Sequence, residues 1–404
     1  MPMIFQIILM LMLASCQPKV AQISDKNHVQ QSSNSTISVI TGAQRTTDYI
    51  PKLKNKNVAL VVNQTSIINN THLVDSLLKL GVSIKTVFSP EHGFRGNADA
   101  GEVVKDAKDK TTGLPIISLY GKKKKPLSED LAGIDIIIFD IQDVGVRFYT
   151  YISTLHYVME ACAENNIPLI VLDRPNPNGH YIDGEILQPN YRSFVGMHPV
   201  PTVYGMTIGE YAQMINGQGW LANQVKCDLT VISCKEYTHQ TYYELPVKPS
   251  PNLPDMKSII LYPSLCFFEG TTLSIGRGTN KPFQVIGHPK LKSNFQFTPM
   301  PNEGAKDPLH KGLVCQGEDL SLLDTKTLKN EGKIDLSYII KYHQKMKAIN
   351  EKYFLDNNFI DKLSGSDALR HLIENGKSEA DIRASWKDGI ESFKKTREKY
   401  LIYK

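Results

Sequence analysis

Six short apolar runs punctuate the first half of the chain: NVALVVNQT (57–65), VSIKTVFSP (82–90), LPIISLY (114–120), IDIIIFDIQD (134–143), IPLIVLDRP (167–175) and CDLTVIS (227–233). Most are apolar at consecutive positions, the pattern of strands buried on both faces, as in a parallel sheet. Between several of them lie segments with apolar residues at helical spacing: 71–81, which ends on Gly81, then 151–166 and 207–220. Alternation of strand and helix over residues 50 to 235 predicts an α/β fold, a Rossmann-like doubly wound domain on a mostly parallel sheet. Near residue 236 the texture changes. Pro and aromatics crowd 242–254, a Gly/Thr-rich loop follows at 267–283, and helical periodicity returns over 336–353, 364–376 and 378–403. The expected organisation is a Rossmann-like domain over 48–236 and a smaller α+β domain over 237–404.

The N-terminus follows another pattern. MPMIFQIILMLMLASC carries an apolar stretch too short to span a bilayer comfortably, then Leu13-Ala14-Ser15-Cys16, which is similar to a lipobox whose Cys is lipidated. Residues 1–15 contain no Lys or Arg, a departure from the basic start of such peptides. The expectation is a lipoprotein signal peptide over 1–16, lipidation at Cys16, and a polar, Ser/Gln/Asn-rich flexible tether over 17–47. This places the protein in a bacterial cell envelope, attached to membrane through a lipid anchor and facing the periplasm or exterior.

Composition narrows the function classes. The 404 residues carry a net charge of +5 spread along the chain, and no basic–aromatic stripe argues for nucleic acid. Lys122 to Lys125 reads as a solvated loop. After Cys16 the cysteines are Cys162, Cys227, Cys234, Cys266 and Cys315, with no metal-knuckle spacing. A strand between Cys227 and Cys234 would hold that pair apart, so these cysteines are expected to be buried small residues.

Ligands bind parallel α/β sheets outside the carboxyl ends of the strands. There this chain places Asn63 and Gln64, then Glu91, His92 and Arg95, then Asp140, Asp143 and Arg147, then Asp173, Arg174 and Asn176. Such density requires mutual pairing or a ligand. Blander roles stand beside the functional one: a turn for Asp173 to Asn176, a salt bridge for Arg147, a hydrogen-bonded niche for His92. No G-x-G-x-x-G follows the first strand and no zinc spacing occurs, so neither cofactor nor metal is expected. The 267–283 loop adds Glu269, Thr271, Ser274, Arg277 and Thr279, read as a flexible flap offering a cation and hydroxyls to an oxygen-rich substrate.

NVALVVNQTS, FSPEHGFRG, DIQDVGVRFYTY, VLDRPNPNG, DGEIL, GMTIGE, PSPNLP, YPSLCFFEGTTLSIGRGT and a terminal SW…F…R…YLIY occur in this order. From about residue 50 to the C-terminus the chain resembles the NamZ-type exo-β-N-acetylmuramidases. The resemblance implies a cleft between two domains, release of N-acetylmuramic acid from non-reducing ends of peptidoglycan fragments, and a catalytic glutamate at Glu91. On that reading His92, Asp140 and Asp143 join Glu91 as catalytic candidates. Asn63, Arg95, Arg147, Tyr149, Asp173, Arg174, Asn176, Asn252, Glu269, Thr271, Ser274 and Arg277 become substrate-binding candidates. Glu91 would be the general acid. The second role stays open between Asp140 or Asp143 and the substrate's own acetamido oxygen. Tyr204 departs from the pattern, standing where many members carry His, and Glu185 and Gln188 lie in a variable segment. A muropeptide-binding lipoprotein without catalysis, and a metal-dependent hydrolase using His92 and the aspartates, are the alternatives.

Overall fold

The computed structural model describes residues 38–91, 93–94 and 107–403. All six apolar runs form parallel strands: β1 (Asn57–Val62), β2 (Ser83–Ser89), β3 (Pro115–Ser118), β4 (Ile136–Asp140), β5 (Leu169–Leu172) and β6 (Leu229–Ile232). They lie side by side as β3-β2-β1-β4-β5-β6, and a two-residue antiparallel strand, Ala107–Lys108, borders β3. Strand order reverses between β1 and β4, so the crevice for ligands is expected at their carboxyl ends and those of their neighbours.

The consecutive apolar residues serve two cores. Val58, Leu60 and Val62 pack with Tyr49, Leu53 and helix α1 (Leu73–Lys79) on one face. Ala59 and Val61 point the other way, into the core shared with α2 (Tyr151–Glu164), α3 (Ile208–Gly217) and the C-terminal elements. This is the two-residue period of a strand covered on both sides.

The C-terminal region adds α4 (Met256–Leu265) and an antiparallel sheet, in which β9 (Cys315–Asp319) lies between β7 (Val285–His288) and β8 (Phe295–Phe297). Two longer helices follow, α5 (Ser337–Ala348) and α6 (Glu379–Arg397). Helix α4 was hidden in the sequence by Pro263, which lies inside it; the Asp255/Ser258 capping box marks its start. The end of the chain ties back to the sheet domain. Arg397 donates to the Gly205 carbonyl, the Ile402 and Tyr403 amides donate to Glu210, and the Tyr403 hydroxyl donates to Asp173 at 2.6 Å.

The ordered fold begins earlier than the polar composition of 17–47 suggests. Residues 38–47 are not tether: Gly42 and Ala43 are buried and Ile40 bridges Lys235. A Cβ at Gly42 would meet the Ile232 carbonyl oxygen at 2.2 Å, so only glycine allows this approach. Small buried residues carry little hydropathy, which is why composition missed them. The Lys122–Lys125 run is stitched to its surroundings: Lys123 pairs with Asp130, Lys125 with Glu160 and Glu164, and Lys124 lies over the Phe194 ring. Cys162, Cys227, Cys234, Cys266 and Cys315 are free and buried, and β6 separates Cys227 from Cys234.

Candidate active site

Glu91 emerges one residue after Pro90, beyond the carboxyl end of β2. Thr150, just before α2, makes no side-chain cap for its helix; its hydroxyl instead donates to Glu91 Oε2 at 2.8 Å. The Tyr151 hydroxyl lies 3.5 Å from the Glu91 carbonyl oxygen and accepts from Asn63 Nδ2 at 2.9 Å. The segment after β4 thus fixes the glutamate after β2.

Glu91 faces a cavity of about 160 Å³ whose wall comes from both halves of the chain. The sheet side supplies Tyr120, Phe148, Tyr149, Thr150 and Phe194. The C-terminal side supplies Ser250, Asn252, Tyr262, Glu269, Arg277 and Phe283. The aromatic rings brace one another edge to face: Tyr262 lies 5.3 Å from Phe148 and 4.8 Å from Phe283, with centroids as the reference. The Tyr149 hydroxyl donates to the Pro249 carbonyl at 2.8 Å. Arg277 stacks over Phe283 and donates through Nε to Glu269 Oε1 at 2.6 Å, with a terminal nitrogen 2.5 Å from the same oxygen. Larger hollows of about 530 and 470 Å³ lie elsewhere and gather none of the candidate residues.

Of the sequence candidates, the cavity collects Glu91, Tyr149, Asn252, Glu269 and Arg277. Asn252 turns its amide to the Gly304 carbonyl, 2.5 Å away. Thr271 and Ser274 do not line this cavity; they line a neighbouring, largely apolar one of about 270 Å³, which shares Glu269 and Arg277 with it. The 267–283 loop is no loose flap, because Leu273 and Ile275 are buried in the core and Ser274 bridges Gly287. Cys16, His92 and Arg95 lie outside the described residues.

The remaining candidates hold the fold together. Asp140 and Arg174 form a buried two-point salt bridge, Nε–Oδ1 at 2.6 Å and a terminal nitrogen to Oδ2 at 2.8 Å. Asp173 accepts from Thr207, the Gly209 amide and Tyr403, and burial pushes its carboxyl up to about 6. Asn176 donates to the Met206 carbonyl and packs on Gly145, whose φ of +77° and lack of Cβ permit the contact. Arg147 is fully buried and donates to the carbonyls of Glu185, Val200, Leu363 and Ser364. It clamps the C-terminal region to the sheet domain and cannot reach a ligand. Asn63 is buried, donates to Tyr151 and accepts from the Thr65 amide and hydroxyl.

Asp143 sits behind the wall instead of on it. Its Oδ2 accepts from the Gly145 amide and from Tyr204, so Tyr204 orients this carboxylate. Burial pushes its carboxyl up to about 6, above the usual value near 4. Between about pH 4 and 6 the folded state keeps a proton that the unfolded state has released, so this group makes stability fall as pH rises through that window. Asp143→Asn removes the dependence: relative to wild type the variant should gain about 2 kcal/mol between pH 4 and pH 6. Urea unfolding at the two pH values measures it, and an unchanged difference would refute a raised Asp143.

Sequence reasoning missed Thr150, Tyr120, Phe194, Ser250, Tyr262 and Phe283. Tyr120 was findable, since it ends the third strand run and strand ends carry the site. Thr150 and Tyr262 lie inside the motifs given above, but nothing local separates a helix-start Thr or a core Tyr from one on a cavity wall. Phe194 carries no local signal. Among the described residues, no group of three or more His, Cys, Asp and Glu side chains is arranged to hold a metal ion.

Family models for the N-terminal and C-terminal parts of the exo-beta-N-acetylmuramidase NamZ match residues 58–257 and 260–403. The peptidoglycan beta-N-acetylmuramidase NamZ of Bacillus subtilis (strain 168) is 42% identical over 383 residues, covering 88% of this chain and 89% of the relative. Two crystal structures of DUF1343 family proteins from Bacteroides fragilis NCTC 9343 superpose with TM-scores of 0.84 and 0.78, at 48% and 29% identity. Each covers 91% of this chain and 99% of the solved one. With both halves matched in order and the fold shared, the chain belongs to the NamZ exo-β-N-acetylmuramidase family.

Proposed function

We propose that the protein is an exo-acting glycosidase that releases N-acetylmuramic acid from non-reducing ends of peptidoglycan fragments, with Glu91 as general acid. The observation that carries this reading is a glutamate oriented by Thr150 on the wall of an aromatic-lined cavity. Aromatic faces suit a sugar ring, and a positioned carboxylic acid can protonate the leaving glycosidic oxygen. Incubation with a chromogenic N-acetylmuraminide, with and without EDTA, tests this against the alternatives. Release that EDTA does not affect supports the glycosidase, loss of release with EDTA points to a metal hydrolase, and ligand-stabilised melting without release points to a binding protein.

Muramic acid differs from glucosamine by a lactyl carboxylate, which calls for a cation. Arg277 is the guanidinium among the described residues of the wall. Its bond to Glu269 engages Nε and one terminal nitrogen of a five-donor fork. Arg277→Ala should reduce the preference for N-acetylmuramic acid over N-acetylglucosamine, read as the ratio of inhibition constants, by roughly 10–100-fold. An unchanged ratio removes Arg277 from that role.

The lipobox-like Leu13-Ala14-Ser15-Cys16 supports export and lipidation at Cys16, with the enzyme held at the cell envelope. Fatty-acid labelling that survives Cys16→Ser would reject the anchor.

A further inference from the structure

We infer that Glu269 is the second catalytic carboxylate, one that stays ionised throughout turnover and stabilises the positive charge that develops on the sugar. The inference rests on the glycosidase reading above. Asp140 and Asp143, the aspartates suited to this role by sequence position, do not line the cavity: one is locked to Arg174 and the other is held by Tyr204 and the Gly145 amide. Among the described residues of the wall, the carboxylates are Glu91 and Glu269.

Their partners divide the roles. Glu91 Oε2 meets the Thr150 hydroxyl. A hydroxyl can donate to a carboxylate or accept from a carboxylic acid, so this contact survives both protonation states of an acid that gives up and regains a proton. Glu269 Oε1 meets two nitrogens of the Arg277 guanidinium. A guanidinium only donates and carries a full positive charge, so it favours the carboxylate over the neutral acid. The pair is held in place by the stacking of Arg277 on Phe283, and the Cys266 thiol lies 3.7 Å from Glu269 Oε2.

The chemistry balances without a covalent bond to Glu269. The anomeric carbon–oxygen bond breaks with its electron pair going to the leaving oxygen, which takes the proton of Glu91. The sugar is left positively charged until water adds at the anomeric carbon, directly or after a transient acetamido-oxygen adduct; the water's oxygen becomes the anomeric hydroxyl and its proton is lost to the Glu91 carboxylate or to solvent, which leaves the acid ready for the next turnover. A fixed anion beside the developing charge stabilises it more in the transition state than in the ground state, and so raises kcat without tightening substrate binding.

The experiment compares Glu269→Asp with Glu269→Asn, two variants of equal size that differ in charge, using the full-length protein and MurNAc–GlcNAc as substrate. Both shorten the side chain equally, so any folding defect is shared and thermal melts report it. The expected result is that the Asp variant retains kcat at least tenfold above the Asn variant, with inhibition constants for N-acetylmuramic acid within threefold of one another. Equal kcat for the two would overturn the inference, and so would the appearance of a glycosyl azide when azide is added to the Asn variant, which would mark Glu269 as a nucleophile or base. Wild-type release of N-acetylmuramic acid, measured alongside, reports separately on the glycosidase reading.

Discussion

Glu91→Gln lowers kcat on MurNAc–GlcNAc by about 10²–10⁴-fold and leaves the thermal melt within a degree or two of wild type. Glutamine can accept the Thr150 hydroxyl bond as glutamate does, so the local geometry persists while the transferable proton is lost. The size of the loss should depend on the leaving group. A sugar alcohol departs poorly without a proton, whereas a nitrophenolate departs as a stable anion, so the nitrophenyl muraminide should be impaired far less. That split is the signature of a general acid. An equal loss on both substrates would assign Glu91 to binding, and near-full activity on the disaccharide would dismiss it altogether. Glu91 is half-buried and glutamine matches glutamate in size, so the change leaves the packing at this strand end undisturbed.

Arg174→Met destabilises the protein by about 3–5 kcal/mol, because it strands the buried Asp140 carboxylate without its partner. Denaturant unfolding followed by circular dichroism measures this, and kcat per folded molecule should change little. The double variant Asp140→Asn/Arg174→Met should recover part of the loss, since removing both charges is cheaper than leaving one. A variant that is stable but has a raised KM would mean that Arg174 reaches substrate after all. The salt bridge sits where strand order reverses, the place where a ligand crevice is expected, and Asp140 there pairs in register with Val62 of the neighbouring strand. In this fold that position is occupied by structure, and the ligand cavity is displaced toward the segments after β2, β3 and β4.

The contrast between these two residues explains how far the sequence could be read. Buried parallel strands announce themselves by consecutive apolar residues, so all six were legible, and their flanking helices with them. Glu91 was legible because a carboxylate after a strand end, with no helix to cap, has few structural uses. Asp140, Arg174, Asp173 and Arg147 looked the same at the level of position: polar, and at strand ends. Their difference lies in partners far along the chain, such as Tyr403 for Asp173 and the Leu363 and Ser364 carbonyls for Arg147. A sequence lists such partners but does not pair them. The aromatic wall was equally hidden, because Tyr262 and Phe283 become a surface for sugar only when α4 and the following loop pack against the residues after β4. Helix α4 itself was obscured by Pro263.

Acid-assisted glycoside cleavage in this cavity should remove a terminal N-acetylmuramic acid. Two isomeric disaccharides, MurNAc–GlcNAc and GlcNAc–MurNAc, incubated separately with the full-length protein and analysed by mass spectrometry, test it most directly. Free N-acetylmuramic acid should form from the first isomer alone, and should be lost in Glu91→Gln. Cleavage of the second isomer, or no cleavage of either, would contradict it.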